Sequence, residues 1–166
     1  MGADTTELRQ YIETLERQGM ELDGYYRQAA RELAGRLLAL VVPRTVVGHY
    51  PPEMNRIGGT LRRGWVSKDQ DTSFDRTQAG APCPSAKEMH DWAQSLDVEV
   101  RAGTYTIKVH NPVEYASFIE YGFTKRNGEM YPPQHMMEIS VQQLEAIAPR
   151  VLEQELYKWL KKRFGD

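Results

Sequence analysis

The chain has 166 residues, a length that fits one domain, 1–166, around a single hydrophobic core. Hydrophobic residues make up 40% of it and charged residues 27%, which excludes a chain that is disordered throughout. Its 21 Lys and Arg residues are balanced by 23 Asp and Glu residues, and this formal net charge of -2 disfavours nucleic acid as the main ligand.

Two further features of the composition concern membranes and disulfides. The longest purely aliphatic run, Leu37–Val42, is far shorter than the roughly 20 residues that cross a bilayer, so we expect no membrane anchor. The first residues lack the basic and apolar stretches of a secretory signal, so we expect the chain to stay where it is made. With Cys83 as the single cysteine, no intrachain disulfide can form.

The N-terminal region has helical periodicity. Apolar or small residues recur at intervals of three and four, which predicts a long amphipathic helix over 5–42: Leu8, Ile12, Leu15, Leu22, Tyr26, Ala29, Leu33 and Leu37. Pro43 is predicted to end this helix, and Gly19 and Gly24 weaken its interior. Because the stripe is longer than one small core covers, either its excess packs on a neighbouring subunit or one end of the helix is solvent-exposed.

The next segments alternate between loop and short element. Residues 43–60 are dense in proline and glycine and residues 68–84 are polar, so both are predicted to be mobile loops. Between them, Gly64-Trp-Val-Ser67 could open the first strand. Ser85 and Glu88 match a capping box, which predicts a short helix that runs to about Leu96.

A hairpin and a short helix are predicted next. Asp97–Arg101 and Thr104–His110 alternate with a period of two around Ala102-Gly103, which indicates an antiparallel hairpin. Asn111-Pro112 then breaks the second strand and starts a helix that ends at Gly122. We expect the aromatic face of this helix to pack onto the sheet: Tyr115, Phe118 and Tyr121.

The remaining chain is predicted to form a turn, a strand and a terminal helix. Asn127-Gly128 is typical of a tight turn, and Met130-Tyr131 after it could form a short strand. Helical spacing from Met137 to Phe164 predicts a C-terminal helix that is kinked or broken at Pro149. The element order favours an α+β fold: a long N-terminal helix, a small antiparallel sheet with short helices, and a C-terminal helix, the last parts spanning 97–164.

No catalytic, metal or cofactor site is predicted. The four histidines show no helical metal spacing, and Gly58-Gly59-Thr60 lacks the strand and the Lys-Ser/Thr ending of a phosphate loop. Cys83 lies between two prolines in a polar segment, without a signal for a reactive thiolate. Glu114 and Glu120 are six residues apart, which places them on roughly opposite helix faces.

Three ordered blocks nevertheless resemble a known family. The blocks are Ile57-Gly-Gly-Thr-Leu-Arg-Arg-Gly-Trp65, Val109-His-Asn-Pro-Val-Glu-Tyr-Ala-Ser-Phe-Ile-Glu-Tyr-Gly122 and Met130-Tyr-Pro-Pro-Gln-His-Met-Met137. They are similar to the pattern of the HK97 gp10-like tail-completion or head–tail joining proteins of tailed phages, and the resemblance spans Ile57 to the carboxyl terminus. The residues that this resemblance makes motif or interface candidates are Leu61, Arg62, Trp65, Asn111, Glu114, Tyr115, Ala116, Glu120, Tyr121 and Gly122.

The resemblance implies a structural virion protein of a tailed phage or prophage, without enzymatic activity and without a cofactor. It implies a ring, hexameric or dodecameric, at the head–tail neck junction or tail terminus, in the virion after assembly in the host cytoplasm. Implied partners are other copies of the chain, the head–tail connector, and tail tube or tail terminator proteins, with DNA nearby in the channel. Glu120 and Tyr121 either serve only the core and the helix end or also line a subunit interface.

Two other functions remain open from the residues themselves. A metal-dependent DNA-processing enzyme would use His110, Glu114 and His135 around its metal. A DNA-binding adaptor would use the small basic clusters Arg62-Arg63 and Lys161–Arg163.

Overall fold

The structure is a computed structural model that describes residues 6–49, 51–54, 58–66 and 83–164. A long helix stands at each end of the chain, and short helices and two hairpins lie between them, as expected for the predicted α+β fold. In chain order the elements are α1 (Thr6–Arg44), a single 3-10 turn (Pro52–Met54), α2 (Thr60–Gly64), α3 (Ala86–Ser95), β1 (Glu99–Arg101), β2 (Thr104–Thr106), α4 (Ala116–Tyr121), β3 (Phe123–Thr124), β4 (Met130–Tyr131) and α5 (Met136–Phe164).

The N-terminal helix α1 is confirmed and continues past the predicted end. Pro43 lies inside its last turn, where the missing N–H removes a single hydrogen bond. The amide of Thr45 still donates to the carbonyl oxygen of Val41 at 3.0 Å, so the last turn closes. Among the described side chains of α1, the buried ones begin at Ala29 and end at Val42, whereas those before Glu21 are exposed or half-buried. The side chains of Leu8, Ile12 and Leu15, which begin the predicted apolar stripe, lie outside the described part of the structure.

The two long helices pack side by side in opposite directions. Near the end of α1, the guanidinium of Arg44 donates to the hydroxyl of Ser140 at 2.9 Å, at the start of α5. Further back along α1, the Tyr25 hydroxyl donates to the carbonyl oxygen of Leu152 at 3.3 Å. The helix α5 runs through Pro149 as one element, so of the two predicted alternatives, a kink or a break, the break is wrong.

The helix α3 lies against α1 and begins as predicted. The Ser85 hydroxyl accepts from the Glu88 amide at 3.2 Å and the Ser85 amide donates to the Glu88 carboxylate at 2.7 Å, which completes the capping box. At its other end, the Arg31 guanidinium of α1 donates to the carbonyl oxygen of Leu96 at 3.2 Å. A Cβ on Gly35 would lie 3.5 Å from Ala93 Cβ, so the two helices meet closely.

Within the described ranges, the strands form two separate antiparallel hairpins instead of one small sheet. In the predicted hairpin β1–β2, Val100 pairs with Tyr105. In the second hairpin β3–β4, Phe123 pairs with Tyr131 across the Asn127-Gly128 turn, which confirms that turn and the strand at Met130-Tyr131. The strand β3 had no sequence signal, because two residues are too few to show a period.

The core fills the space between the second half of α1, α2, α3 and the start of α5. Its buried hydrophobic members are Ala34, Leu38, Val41, Val42, Leu61, Trp65, Met89, Ala93, Val113 and Met136. The strand expected at Gly64–Ser67 is wrong over residues 64–66, since Gly64 ends α2 and Trp65 is its helical C-cap residue, and Ser67 lies outside the described residues. Gly59, with a φ of 102°, turns the chain into this helix, and its carbonyl oxygen accepts from the Arg63 amide at 3.0 Å.

Parts of the two predicted loops lie outside the described residues, namely 68–82 in the second loop and 50 and 55–57 in the first. None of the helices in the described ranges carries an apolar stretch long enough to cross a bilayer.

Candidate functional site

Trp65, the last residue of the first family block, connects that block to the end of α1 through a hydrogen bond. The indole N–H of Trp65 donates to the hydroxyl oxygen of Thr45 at 2.7 Å, and both side chains are buried. The Thr45 hydroxyl in turn donates to the carbonyl oxygen of Val41 at 2.7 Å. Sequence reasoning missed Thr45, because an acceptor 20 residues away leaves no local pattern. This buried chain of hydrogen bonds joins α2 to α1.

Arg62 faces the same end of α1. Its guanidinium donates to the carbonyl oxygen of Thr45 at 3.1 and 2.7 Å and to that of Pro43 at 3.2 Å. These carbonyl groups lie at the C-terminus of a helix, where orphan acceptors and the negative end of the helix dipole favour a cation. Arg62 therefore caps α1, which makes it a weak candidate for a phosphate contact.

The second family block contacts the first through Asn111. The Asn111 side-chain amide donates to the carbonyl oxygen of Leu61 at 2.7 Å, and its side-chain oxygen accepts from the Val113 amide at 3.2 Å. A Cβ on Gly64 would clash with the Asn111 side chain and lie 2.9 Å from Val113 Cγ2. The glycine thus lets the two blocks pack against each other.

The acidic residue of the second block, Glu120, is buried at the start of α5. Both oxygens of its carboxylate accept from the Met137 amide at 3.1 Å, and one of them also accepts from the Glu138 amide at 3.0 Å. The backbone amide of His135 donates to the Glu120 carbonyl oxygen at 3.1 Å, which ties the same residues a second time. A carboxylate on the exposed N–H groups of a helix start is favoured by hydrogen bonding and by the helix dipole. Glu120 therefore caps α5 from a different helix.

Gly122 is the turning point between α4 and the second hairpin. Its φ of 79° and ψ of 165° belong to a region that glycine alone adopts readily. A Cβ at this position would lie 2.8 Å from the carbonyl oxygen of Tyr131 and 2.9 Å from the nitrogen of Pro133. The predicted role of Gly122 at the helix end is confirmed, and its backbone also lies against the following hairpin.

The aromatic residues at α4 are largely exposed, so the prediction that they form the packed face of this helix is wrong. Tyr115 is 45% exposed, Phe118 57% and Tyr121 73%. Glu120 and the half-buried Ile119 occupy the inward face of this short helix, which leaves its aromatic residues on the outward face.

These rings continue onto the second hairpin. The Phe118 and Phe123 centroids are 6.3 Å apart in an edge-to-face arrangement, and Phe123 and Tyr131 stack at 5.2 Å. We call this set the aromatic surface: Tyr115, Phe118, Tyr121, Phe123 and Tyr131. Neither Phe123 nor Tyr131 was an interface candidate from the sequence, where Tyr131 was predicted only as part of a strand and of the third block.

The metal-site hypothesis receives no geometric support. Glu114 and His110 are exposed, and His135 Nδ1 lies 2.6 Å from the carboxylate of Glu138. Among the described residues, no group of three or more His, Cys, Asp or Glu side chains could hold a metal ion.

Ala116, another candidate from the second family block, is half-buried beside the core, and its methyl side chain contributes packing alone.

A cleft of about 530 Å³ lies between α1 and α5. Its lining combines the rings of Tyr25 and Trp159, 5.7 Å apart, with charges of both signs from Glu155 and Lys162. Burial raises the pKa of the Tyr25 phenol above its ordinary value. A lining of mixed charge selects no single class of ligand.

A charged cluster joins the first hairpin to α1. The carboxylate of Asp23 accepts from Arg27 at 2.7 Å and from the Tyr105 hydroxyl at 2.9 Å. The hydrogen bond from Arg27, followed by that from Tyr105, holds the pKa of Asp23 below its ordinary value. This cluster holds the β1–β2 hairpin against α1, and its groups do not form an acid–base pair inside a cleft.

Comparison with protein families matches residues 6–122 to the family described as "Bacteriophage HK97-gp10, putative tail-component". The match includes α1 and the first two blocks, and the third block lies beyond it. Neither the curated proteins nor the solved structures yield a significant match. Because the matched segment covers well over half of the chain, the protein belongs to the HK97-gp10-like family of phage tail components.

Proposed function

We propose that this chain is a non-enzymatic structural protein that assembles as a ring at the neck junction or tail terminus of a phage particle. The aromatic surface is its contact with the adjacent copy or with a neighbouring tail protein. The family supports the structural role in a phage. The aromatic surface is the observation that carries the contact, because exposed rings of this kind are enriched at the centres of protein interfaces.

The surroundings of the aromatic surface suit a docking role. On the opposite face of α4, the buried carboxylate of Glu120 accepts hydrogen bonds from backbone amides at the start of α5. These bonds hold α4 in place, so the exposed rings have a rigid support. A ring requires each copy to present two different complementary surfaces, and the aromatic surface is one of them in this proposal. Partners in this arrangement are further copies of the chain, the head–tail connector and tail tube or terminator proteins, with DNA passing nearby.

The test is complementation of a phage or prophage that lacks this gene. The double variant F118S/Y121S alters exposed rings only, so it should fold as the wild type does, which circular dichroism checks. We expect it to leave tail-less heads beside free tails in negative-stain images, whereas the wild type restores whole particles.

Met130→Ser is the matched control. Met130 is 71% exposed and pairs with Thr124, so it lies on the other face of the β3–β4 hairpin from Phe123. We expect M130S to restore whole particles. Full restoration by F118S/Y121S would remove the aromatic surface from the proposal, and whole particles without the gene would overturn the assembly role itself.

A further inference from the structure

The C-terminal helix α5 has a second regular face that points away from α1. Buried Ser140 and Val151 mark the face against α1. On the other side, exposed residues follow one another in alternating steps of three and four, the spacing of a coiled-coil seam. We call them the outer seam: Gln143, Ala146, Arg150, Glu153, Tyr157 and Leu160.

We propose that the outer seam binds a second copy of this chain, with the two α5 helices packed antiparallel as a two-stranded coiled coil. Tyr157 is 64% exposed and Leu160 39%, and a second helix packed along the outer seam would cover both side chains. A helix with apolar side chains on opposite faces can bury both only against two neighbours. One of these is α1, and the second copy is the other.

The charges at the middle of the seam determine the direction of pairing. Arg150 and Glu153 have no ion-pair partner in the part of the chain that the structure describes, whereas Glu155 and Lys158 on the same helix pair at 2.6 Å. In an antiparallel pair centred between positions 151 and 152, Arg150 faces Glu153 of the partner subunit, and the reverse contact forms by symmetry. Parallel helices in register would set like charges against each other.

The same register also matches side-chain sizes. It places Ala146 opposite Tyr157 of the partner subunit, so a small residue receives a large one, and it places Gln143 opposite Leu160 of the partner subunit. A single helix pair is a small interface, so the association is weak and depends on concentration. The proposal does not depend on the role in the virion, because it concerns the purified chain alone.

The first test is sedimentation equilibrium of the purified full chain across the micromolar to millimolar range. We expect a monomer–dimer equilibrium whose dissociation constant rises about tenfold in R150E and in E153R, because each variant creates two like-charge contacts. The double variant R150E/E153R reverses both charges together and should return to within about threefold of the wild type.

The control for charge is E145R, because Glu145 is exposed on α5 but lies off the outer seam. We expect its dissociation constant to stay at the wild-type value. Absence of any dimer in the wild type, or failure of the double variant to recover, overturns the antiparallel pairing.

A second test reads the register by disulfide trapping in a C83S background, since Cys83 is exposed and would react. The variants R150C and E153C are oxidised separately and as a mixture. Only the mixture brings two cysteines into facing positions, so we expect a cross-linked dimer there in clear excess over either variant alone. Equal cross-linking in all three samples, or none in the mixture, contradicts the register.

Discussion

The indole N–H of Trp65 donates to the hydroxyl of Thr45 at 2.7 Å, inside the core and between two different helices. The Thr45 hydroxyl accepts this hydrogen bond and donates its own to the carbonyl oxygen of Val41, so the three polar groups pair with one another without water. The first family block thereby fixes the distance between the end of α1 and the short helix α2.

Loss of the Thr45 hydroxyl should destabilise the protein. Thr45→Val keeps the shape of the side chain but leaves the buried indole N–H without an acceptor, so we expect the free energy of unfolding to fall by about 1–3 kcal/mol. Trp65→Phe should cost less in the Thr45→Val background than in the wild type, because the hydrogen bond is already lost. Urea denaturation followed by circular dichroism measures both costs.

Thr106→Val is the matched control for this change, since Thr106 is exposed in β2. It should alter stability by less than about 0.5 kcal/mol. Equal costs of Trp65→Phe in the two backgrounds would show that the hydrogen bond contributes nothing.

The capping of α5 by Glu120 leads to a second prediction. Glu120→Gln retains the size of the side chain but removes its charge and replaces one acceptor oxygen by a donor amide that faces backbone N–H groups. We expect a loss of about 1–2 kcal/mol, within the usual range for helix caps and dipole contacts. Thermal unfolding measures it, and Glu114→Gln, at an exposed position, should leave the melting temperature nearly unchanged. The same melting temperature in both variants would rule out the cap.

Two glycine substitutions should change stability in opposite directions. Gly64→Ala places a methyl group against Asn111 and 2.9 Å from Val113 Cγ2, so we expect a loss of about 1–3 kcal/mol from overpacking. Gly24→Ala meets no atom within 4 Å in the middle of α1, so we expect a gain of about 0.5–1 kcal/mol from helix propensity. Denaturant midpoints of the two variants compare them directly. A neutral Gly64→Ala would mean that the two family blocks can separate without cost.

The cluster at Asp23 should respond to pH. The pKa of Asp23 is lowered in the folded protein, so the hydrogen bonds to its carboxylate stabilise the fold above about pH 4, where the pKa of a carboxyl group ordinarily lies. This stabilisation is lost as the pH falls through the lower pKa that Asp23 has in the folded protein. Tyr105→Phe removes one donor, so the pKa of Asp23 should rise toward its ordinary value. An NMR titration of the side-chain carboxyl carbons measures this shift.

Asp91 provides an internal control for that titration. A hydrogen bond from Lys87 lowers the pKa of Asp91 on the separate helix α3. The Tyr105→Phe substitution should leave this pKa unchanged. An unchanged pKa at Asp23 would instead show that the tyrosine hydroxyl does not interact with the carboxylate in solution.

The features that the sequence predicted well are those that nearby residues encode. The capping box of Ser85 and Glu88, the Asn127-Gly128 turn and the periodicity of the long helices depend on residues within one or two turns of each other. Proline was the weaker guide, because its cost depends on its place in the helix. Near the end of α1, Pro43 removes only one hydrogen bond, and α5 continues through Pro149.

Apart from the helix α2, where a strand was expected, and the two-residue strand β3, the sequence by itself determined the element order. It also determined the α+β class and the family resemblance, since each depends on local spacing or residue identity along the chain. Only the tertiary structure decided which side of α4 is buried. Glu120 turns inward because the start of α5, 17 residues further along, offers backbone N–H groups that compensate a buried carboxylate. The aromatic residues then remain outside, against the usual preference for burying apolar side chains, because a helix of six residues has only one face to bury.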